Sequence, residues 1–180
     1  RVNAESGVNF ISALIGEPDD KFIFTNTAGY GYISEFSNTI SNKKTGKAFM
    51  KIPEGASLIK SQKLREDHQY IAAVSSIGKL LIFRLDELPI LPKGKGNKII
   101  NIPTAKFKSK EEKMLDIQLL AEDSNLVVHY GTKTRSLPFK DWQHYISSRA
   151  KRGNIIAGHL KRVESISEEV KIKDSAKESS

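Results

Sequence analysis

The sequence predicts an all-β, propeller-like fold built from about three four-stranded units. Short runs of β-branched and aromatic residues alternate with Gly, Pro and Asn turns along most of the 180-residue chain. Marker residues also recur, since Gly29 and Gly78 are 49 residues apart and Gly46 and Gly96 are 50 apart. A period of this length with four strands per unit is typical of propeller blades.

Each predicted unit holds four strands separated by turn residues. The first unit, residues 1–53, has strands at 8–15, 21–27, 32–36 and 47–52. The second unit, residues 54–103, has strands at 57–64, 70–75, 79–85 and 98–102. The third unit, residues 104–163, has strands at 113–120, 126–130, 133–139 and 154–157. The first two units both end in Ile-Pro, at residues 52–53 and 102–103.

The alternative to blades is a single irregular β-sandwich whose strands happen to be evenly spaced. Glycine, lysine and Ile-Pro at matching positions of the first two units favour blades. The third unit matches less well, through Gly131 and a Gly-Asn-Ile-Ile run at residues 153–156. Helical spacing is confined to residues 85–88 and 139–147, enough for a turn or two each. From residue 164 the chain is polar, and residues 164–180 are predicted to form a disordered tail.

The composition favours a polyanionic partner. The net charge is +8 and the pI is near 9.5, which fits nucleic acid or an anionic membrane surface. The chain has no cysteine, which excludes disulfides and thiolate metal sites and is typical of a reducing cytoplasm. No apolar run approaches the roughly 20 residues that cross a bilayer. The first residues are not a signal peptide and lack an initiator Met, so we expect a fragment of a longer protein.

No catalytic constellation can be assembled from the sequence. No Gly-Lys is followed by Ser or Thr, so there is no P-loop. The four histidines are scattered and never at metal-ligand spacing. The acidic pairs Asp19-Asp20 and Glu111-Glu112 lie beside turns and are interpreted as solvated charge. We therefore expect no catalytic residue, no metal site and no cofactor in this chain.

Each unit carries a basic cluster just before its last strand, with no acidic residue inside the cluster. The clusters are Lys43, Lys44, Lys47 and Lys51 in the first unit, Lys93, Lys95 and Lys98 in the second, and Arg149, Lys151 and Arg152 in the third. In blades, these positions fall on equivalent edges and form one stripe. Such a stripe can follow a bent duplex through its phosphates without reading bases. The alternative is a set of solvated, lysine-rich turns with no ligand.

One segment resembles a known family. Residues 91–103, Leu-Pro-Lys-Gly-Lys-Gly-Asn-Lys-Ile-Ile-Asn-Ile-Pro, closely resemble part of the C-terminal domain of the A subunit of bacterial DNA topoisomerase IV. Ala28-Gly29-Tyr30-Gly31 and the Arg149, Arg152, Gly153 pattern are similar to blade signatures of the same family. The resemblance covers about residues 8–163. It implies a β-pinwheel, a propeller variant in which neighbouring blades exchange strands, and a full domain with more blades than three.

The resemblance also implies a function. It implies a non-catalytic, DNA-binding and DNA-bending domain of a type IIA topoisomerase, which positions duplex DNA for ATP-dependent strand passage, decatenation and relaxation during chromosome segregation. The catalytic tyrosine, the metal-binding carboxylates, ATP and Mg²⁺ belong to other domains. The implied partners are duplex DNA, the rest of the A subunit, and the ATPase B subunit of a heterotetramer. The implied location is the cytoplasm, on the chromosome, with possible peripheral membrane association of the parent complex.

Within the topoisomerase family, the sequence favours topoisomerase IV over its relative gyrase. Gyrase has a Gln-Arg-Arg-Gly-Gly-type box, and no segment of this sequence matches that box.

Two further interpretations compete with a topoisomerase domain. A propeller-like protein-interaction scaffold with incidental charge would need an apolar patch on its rim. A basic surface that docks on anionic lipid would need an amphipathic helix, and the sequence shows none.

Overall fold

The computed structural model of the protein describes residues 14–39, 50–158 and 162–171. Within these ranges the chain forms short strands and two short helices. The strands are β1 (Lys21–Asn26), β2 (Tyr30–Glu35), β3 (Leu58–Lys63), β4 (His68–Ser75), β5 (Lys79–Arg84), β6 (Asn97–Lys98), β7 (Met114–Ala121), β8 (Asn125–Tyr130), β9 (Lys133–Leu137), β10 (Asn154–Ile155) and β11 (Val163–Glu169). The helices are α1 (Thr104–Lys108) and α2 (Phe139–Trp142), and single 3-10 turns cover Phe36–Thr39, Leu85–Glu87 and Gln143–Tyr145.

The described strands form three antiparallel sheets, each built around a hairpin. The first blade has the order β3-β1-β2-β6, and the second has the order β7-β4-β5-β10. The third blade has the order β11-β8-β9 within the described residues. The all-β, blade-like prediction is therefore confirmed.

The blades exchange strands, as the resemblance implied. The strands β3 and β6 flank β4 and β5 in sequence, yet they pair with β1 and β2, for example through Phe22 with Lys63 and Tyr30 with Lys98. In the same way β7 and β10 pair with the hairpin β4-β5. Each sequence repeat thus supplies a hairpin to its own blade and two outer strands to the preceding blade.

The core lies between successive blades. Successive residues of β4 alternate between its two faces, because side chains of a strand point to opposite sides of a sheet. Ile71 and Ala73 face the first blade, and Ala72 and Val74 face the third, all of them fully buried. Because both faces are covered, the central residues of β4 and β5 are continuous apolar runs. Each fully buried aliphatic side chain contributes roughly 1.5–3 kcal/mol to folding.

The blades have an inner and an outer edge. Strand β7 contacts β3 of the first blade and β11 of the third, so these three strands form the inner edge. The opposite edge is formed by β6 on the first blade and β10 on the second. These two short strands therefore lie on the outside of the assembly.

Two predicted strands are shorter than expected. The predicted strand at 98–102 reduces to β6, and Ile99 and Ile100 are buried beyond it without extending the ladder. The Ile99 amide donates to the Gly29 carbonyl at 2.7 Å, which turns the chain across the first hairpin. The predicted strand at 154–157 reduces to β10. Residues 8–13 and 47–49 of two other predicted strands lie outside the described residues.

The predicted disordered tail is wrong for its first residues. Residues up to Glu169 form β11, which pairs with β8 from Val163 opposite Tyr130 to Glu169 opposite Asn125. The sequence did not predict this strand, because only two of its side chains, Val163 and Ile166, are apolar and buried, and the other residues are polar. Residues 172–180 lie outside the described residues.

A buried carboxylate fixes β11 to the second blade. Burial alone would raise the pKa of Glu168, but hydrogen bonds from His68, Arg65 and the Ala121 amide outweigh burial and hold the pKa at about 2. The Arg65 Nη1 to Glu168 Oε1 distance is 2.6 Å, and the Ala121 amide lies 2.9 Å from Oε2. The Glu168 carboxylate therefore links β11 to the start of β4 through an ion pair and hydrogen bonds.

Candidate nucleic-acid interface

Two segments return along the outer edge of the blades. We call residues 89–98 the first return segment and residues 146–155 the second. The first runs beside β2, where the Ile33 amide donates to the Pro89 carbonyl at 3.0 Å and the Leu91 amide donates to the Ile33 carbonyl at 2.8 Å. The second runs beside β5 in the same way, with the Ser147 amide donating to the Ile82 carbonyl at 2.8 Å.

The same Gly-Asn joint attaches both return segments to their blades. Gly96 and Gly153 have φ of +76° and +73°, a left-handed conformation that favours glycine. A Cβ on Gly96 would lie 2.3 Å from the Gly31 carbonyl oxygen, and one on Gly153 would lie 2.7 Å from that of Leu80. The structure therefore places the second and third basic clusters at equivalent positions of neighbouring blades.

Two of the three lysines of the first return segment are directed to solvent. Lys93 and Lys95 are exposed, and the Lys95 Nζ lies 4.2 Å from the centroid of the Tyr30 ring. Such a cation–π contact orients the ammonium group without neutralising it. Lys98 is half-buried, and its Nζ donates to Asn101 Oδ1 at 3.3 Å.

The arginines of the second return segment bind groups inside the protein. Arg149 donates through Nε to the Glu87 carbonyl at 2.8 Å and through Nη1 to the Lys98 carbonyl at 2.6 Å. Arg152 Nη1 lies 2.8 Å from the Asn101 carbonyl and 2.9 and 3.0 Å from the Glu112 carboxylate oxygens. The third residue of this cluster, Lys151, is exposed.

Hydrogen bonds bring the basic segments into series. The Lys51 amide donates to the Gly94 carbonyl at 2.8 Å. The Ala150 amide donates to the Ile99 carbonyl at 2.9 Å, and the Asn101 amide donates to the Lys151 carbonyl at 2.9 Å. Lys51, the first return segment and residues 150–152 of the second are therefore neighbours along the outer edge. The predicted contacts Lys43, Lys44 and Lys47 lie outside the described residues.

Sequence reasoning missed a further basic surface and misjudged one acid. The exposed lysines of this surface lie on or beside α1 and are Lys106, Lys108, Lys110 and Lys113. Glu112, interpreted from sequence as solvated, is buried with 1% of its side chain exposed and is paired with Arg152. The signal in the sequence was a lysine at every second residue from 106 to 110. These lysines lie outside the repeated clusters, and helix α1 is too short to give a periodic pattern.

One open groove of about 650 Å³ lies beside the start of β4 and the end of β5 and reaches Pro89 and Ile90 of the first return segment. Apolar Ile33, Leu64 and Leu85 share its wall with charged Lys21 and Arg84. In the described part of the chain, no group of three or more His, Asp or Glu side chains could hold a metal ion. No helix in that part is long and apolar enough to cross a membrane.

The sequence is similar to curated topoisomerase proteins. It is 35% identical over 167 residues to the A subunit of DNA topoisomerase 4 from Pseudomonas aeruginosa, covering 92% of this chain and 22% of the relative. It is 32% identical over 153 residues to the protein of that name from Salmonella typhimurium, covering 85% of this chain and 20% of the relative. The chain thus spans about a fifth of the length of the curated relatives it matches. No protein-family model matches it.

Solved structures agree with these relatives. The E. coli ParC C-terminal domain has a TM-score of 0.83 at 28% identity, covering 93% of this chain and 68% of that one. A C-terminal domain of DNA topoisomerase IV has a TM-score of 0.69 at 15% identity, covering 87% and 49%, which supports the fold alone. The resemblance of residues 91–103 thus extends over nearly the whole chain, which belongs to the family of β-pinwheel C-terminal domains found in the A subunit of DNA topoisomerase IV.

Proposed function

We propose that this chain binds duplex DNA along the outer edge of its blades and bends it, as a non-catalytic module of a type IIA topoisomerase. The observation that carries the proposal is the series of exposed lysines along that edge, namely Lys51, Lys93, Lys95 and Lys151. The relatives are named as A subunits of DNA topoisomerase 4, which identifies the polyanion as DNA.

The geometry supports binding through phosphates. Lysine ammonium groups act as mobile point charges, which suits phosphate contacts at changing distances. Lys93 and Lys95 lie on the first blade and Lys151 lies on the second, so a duplex touching all three must follow the turn from one blade to the next. Contacts on successive blades therefore bend the duplex. The base sequence affects affinity only through the energy needed to bend it.

The arginines have a different part in this proposal. Arg149 and Arg152 hold the backbone of residues 98–101, which carries Lys98 and adjoins the first return segment. They support the lysine-bearing backbone and are not themselves the main phosphate contacts. The sequence-based prediction that the cations of all three clusters contact DNA is thereby narrowed, in this proposal, to the lysines.

The parent assembly is also part of the proposal. The chain would present DNA to the cleavage domains of the A subunit, while the ATPase B subunit, ATP and Mg²⁺ act elsewhere in decatenation and relaxation on the chromosome. The interaction-scaffold alternative is not favoured, because the similar proteins and the similar solved structure are A subunits of DNA topoisomerase IV.

The test is the salt dependence of DNA binding by the 180-residue chain. Fluorescence anisotropy with a labelled random duplex should give log K falling against log salt with a slope near −0.9 per phosphate contact, so about −3 to −4 for four lysines. Energy transfer between dyes at the two duplex ends should rise on binding if the duplex bends. A flat salt response would contradict DNA binding, and a steep slope without end-to-end shortening would contradict bending. The chain alone should leave supercoiled plasmid intact.

A further inference from the structure

The α1 turn, which we define as residues 104–113, carries positive charge away from the outer edge. Its four lysines are exposed, whereas one of its two acids, Glu112, is buried and neutralised by Arg152. The other acid, Glu111, is exposed. The surface of the turn is therefore strongly cationic, and none of its lysines belongs to the three clusters recognised from sequence.

The turn lies at the tips of the hairpins. The Met114 amide donates to the Thr27 carbonyl at 2.8 Å, in the β1-β2 turn. The Lys113 amide donates to Ser76 Oγ at 3.0 Å, in the β4-β5 turn. The α1 turn thus lies on the tip face of the first two blades.

The turn is anchored by Phe107, and this anchor directs the lysines outward. Phe107 packs against the core between the first two blades. Successive helix residues are about 100° apart, so Lys106 and Lys108 project to either side of this inward side chain. The Lys106 carbonyl accepts from Ser109 Oγ at 3.2 Å and from the Glu111 amide at 2.9 Å, which closes the turn.

Lys110 occupies a position where glycine would be easier. Its φ is +62°, and its amide donates to the Phe107 carbonyl at 3.1 Å, while the Glu111 amide reaches Lys106. This is the Schellman pattern, whose left-handed residue is usually glycine. Lys110 therefore holds a left-handed conformation at a steric cost that glycine would avoid.

The Arg152–Glu112 pair connects the turn to the outer edge. Arg152 binds both the Glu112 carboxylate and the Asn101 carbonyl, and Asn101 in turn accepts a hydrogen bond from Lys98. The α1 turn and the lysine-bearing edge are therefore held in one fixed relation.

We propose that the α1 turn is a second phosphate-binding surface, at which duplex DNA leaves the outer edge and crosses the tip face between the first two blades. The proposal rests on the proposed DNA-binding function and extends it. Phosphate oxygens of the duplex are the ligands, and Lys106, Lys108 and Lys110 are the contacts.

The main test compares two triple variants of the chain that remove equal charge. The α1 variant is Lys106→Ala, Lys108→Ala and Lys110→Ala. The control replaces three exposed lysines on other elements, Lys21, Lys60 and Lys140. Anisotropy titrations with a random duplex of about 40 base pairs should show that the α1 variant has a salt slope shallower by about 2.7 and an affinity roughly tenfold lower at moderate salt. The control should stay within about twofold of the native chain.

A single variant separates binding from folding. Lys110→Gly removes the charge but supplies the residue that the left-handed turn prefers, so its melting temperature should equal or exceed that of the native chain while its affinity falls about threefold. If both α1 variants bind like the control, the inference is overturned and the edge proposal stands. If the native chain itself shows no salt-dependent binding, the proposed function and this inference fail together.

Discussion

The two return segments share a backbone but use their charges differently. Each lies along an outer edge and is joined to its blade by a left-handed Gly-Asn step. On the first segment Lys93 and Lys95 face solvent, whereas on the second Arg149 and Arg152 bind carbonyls and a buried carboxylate. The two segments thus have the same backbone geometry, but their charged side chains have different roles. Arginine, with its fixed fork of donors, serves the structural role, and lysine remains free for a ligand.

The largest effect should come from the shared joint. Gly96→Ala puts a Cβ against the Gly31 carbonyl in a left-handed residue, so we expect a loss of more than about 3 kcal/mol in the free energy of unfolding, with Gly153→Ala close behind. The control is Gly131→Ala, which has φ of +56° but no atom within 4 Å of the added Cβ and should cost about 1 kcal/mol. Urea denaturation measures all three. Equal losses for Gly96→Ala and Gly131→Ala would show that the joint is not tightly packed.

The next largest effect on stability should distinguish the structural arginine of the second segment from the exposed lysine of the first. Arg152→Ala leaves the Glu112 carboxylate buried without its cation and should cost about 3 kcal/mol of stability, the low end for a broken buried pair because Arg152 is 28% exposed. Lys95→Ala, the residue before the glycine of the first segment, should cost less than about 0.5 kcal/mol. The double variant Arg152→Met, Glu112→Leu removes both charges and should recover most of the loss. If Arg152→Ala is as stable as the native chain yet binds DNA poorly, Arg152 is a phosphate contact and the distinction between the segments is wrong.

The smallest effect on stability should accompany a clear effect on binding. Lys93→Ala with Lys95→Ala should change the melting temperature little, because both side chains are exposed. Affinity should fall about equally for unrelated duplexes, and the salt slope should flatten by about 2. Anisotropy on several duplexes and a thermal melt check both. A loss confined to one duplex would indicate base readout and contradict phosphate binding along the edge.

The sequence was sufficient for the hairpins but not for the segments between them. Apolar runs such as 70–75 and 79–85 predicted β4 and β5 closely, because burial on both faces makes them apolar throughout. The same rule extended β6 wrongly to Ile102, since Ile99 and Ile100 are equally apolar but are buried by crossing a hairpin tip. Helix α1 has five residues, too few for a periodic signal.

The candidate site was predictable in position but not in detail. The recurrence of glycine and basic residues placed two clusters on equivalent edges correctly. It could not show that Arg149 and Arg152 are held by Glu87, Lys98, Asn101 and Glu112, because these contacts join residues 40 to 62 positions apart. Nor could it show that Glu112 is buried, since exposure depends on the neighbouring repeat.

Strand exchange also sets the order of folding during synthesis. The first blade is complete only when Lys98 pairs with Tyr30, 68 residues earlier, and the second only when Asn154 pairs with Leu80, 74 residues earlier. A hairpin such as β1-β2 can form as soon as it is made, but its outer strands arrive with the next repeat. Each blade therefore remains open, with unpaired strand edges, until another repeat has left the ribosome. Such non-local pairing slows folding and makes the partly made chain prone to aggregation. The exchange that joins the finished blades is thus a kinetic liability for the nascent chain.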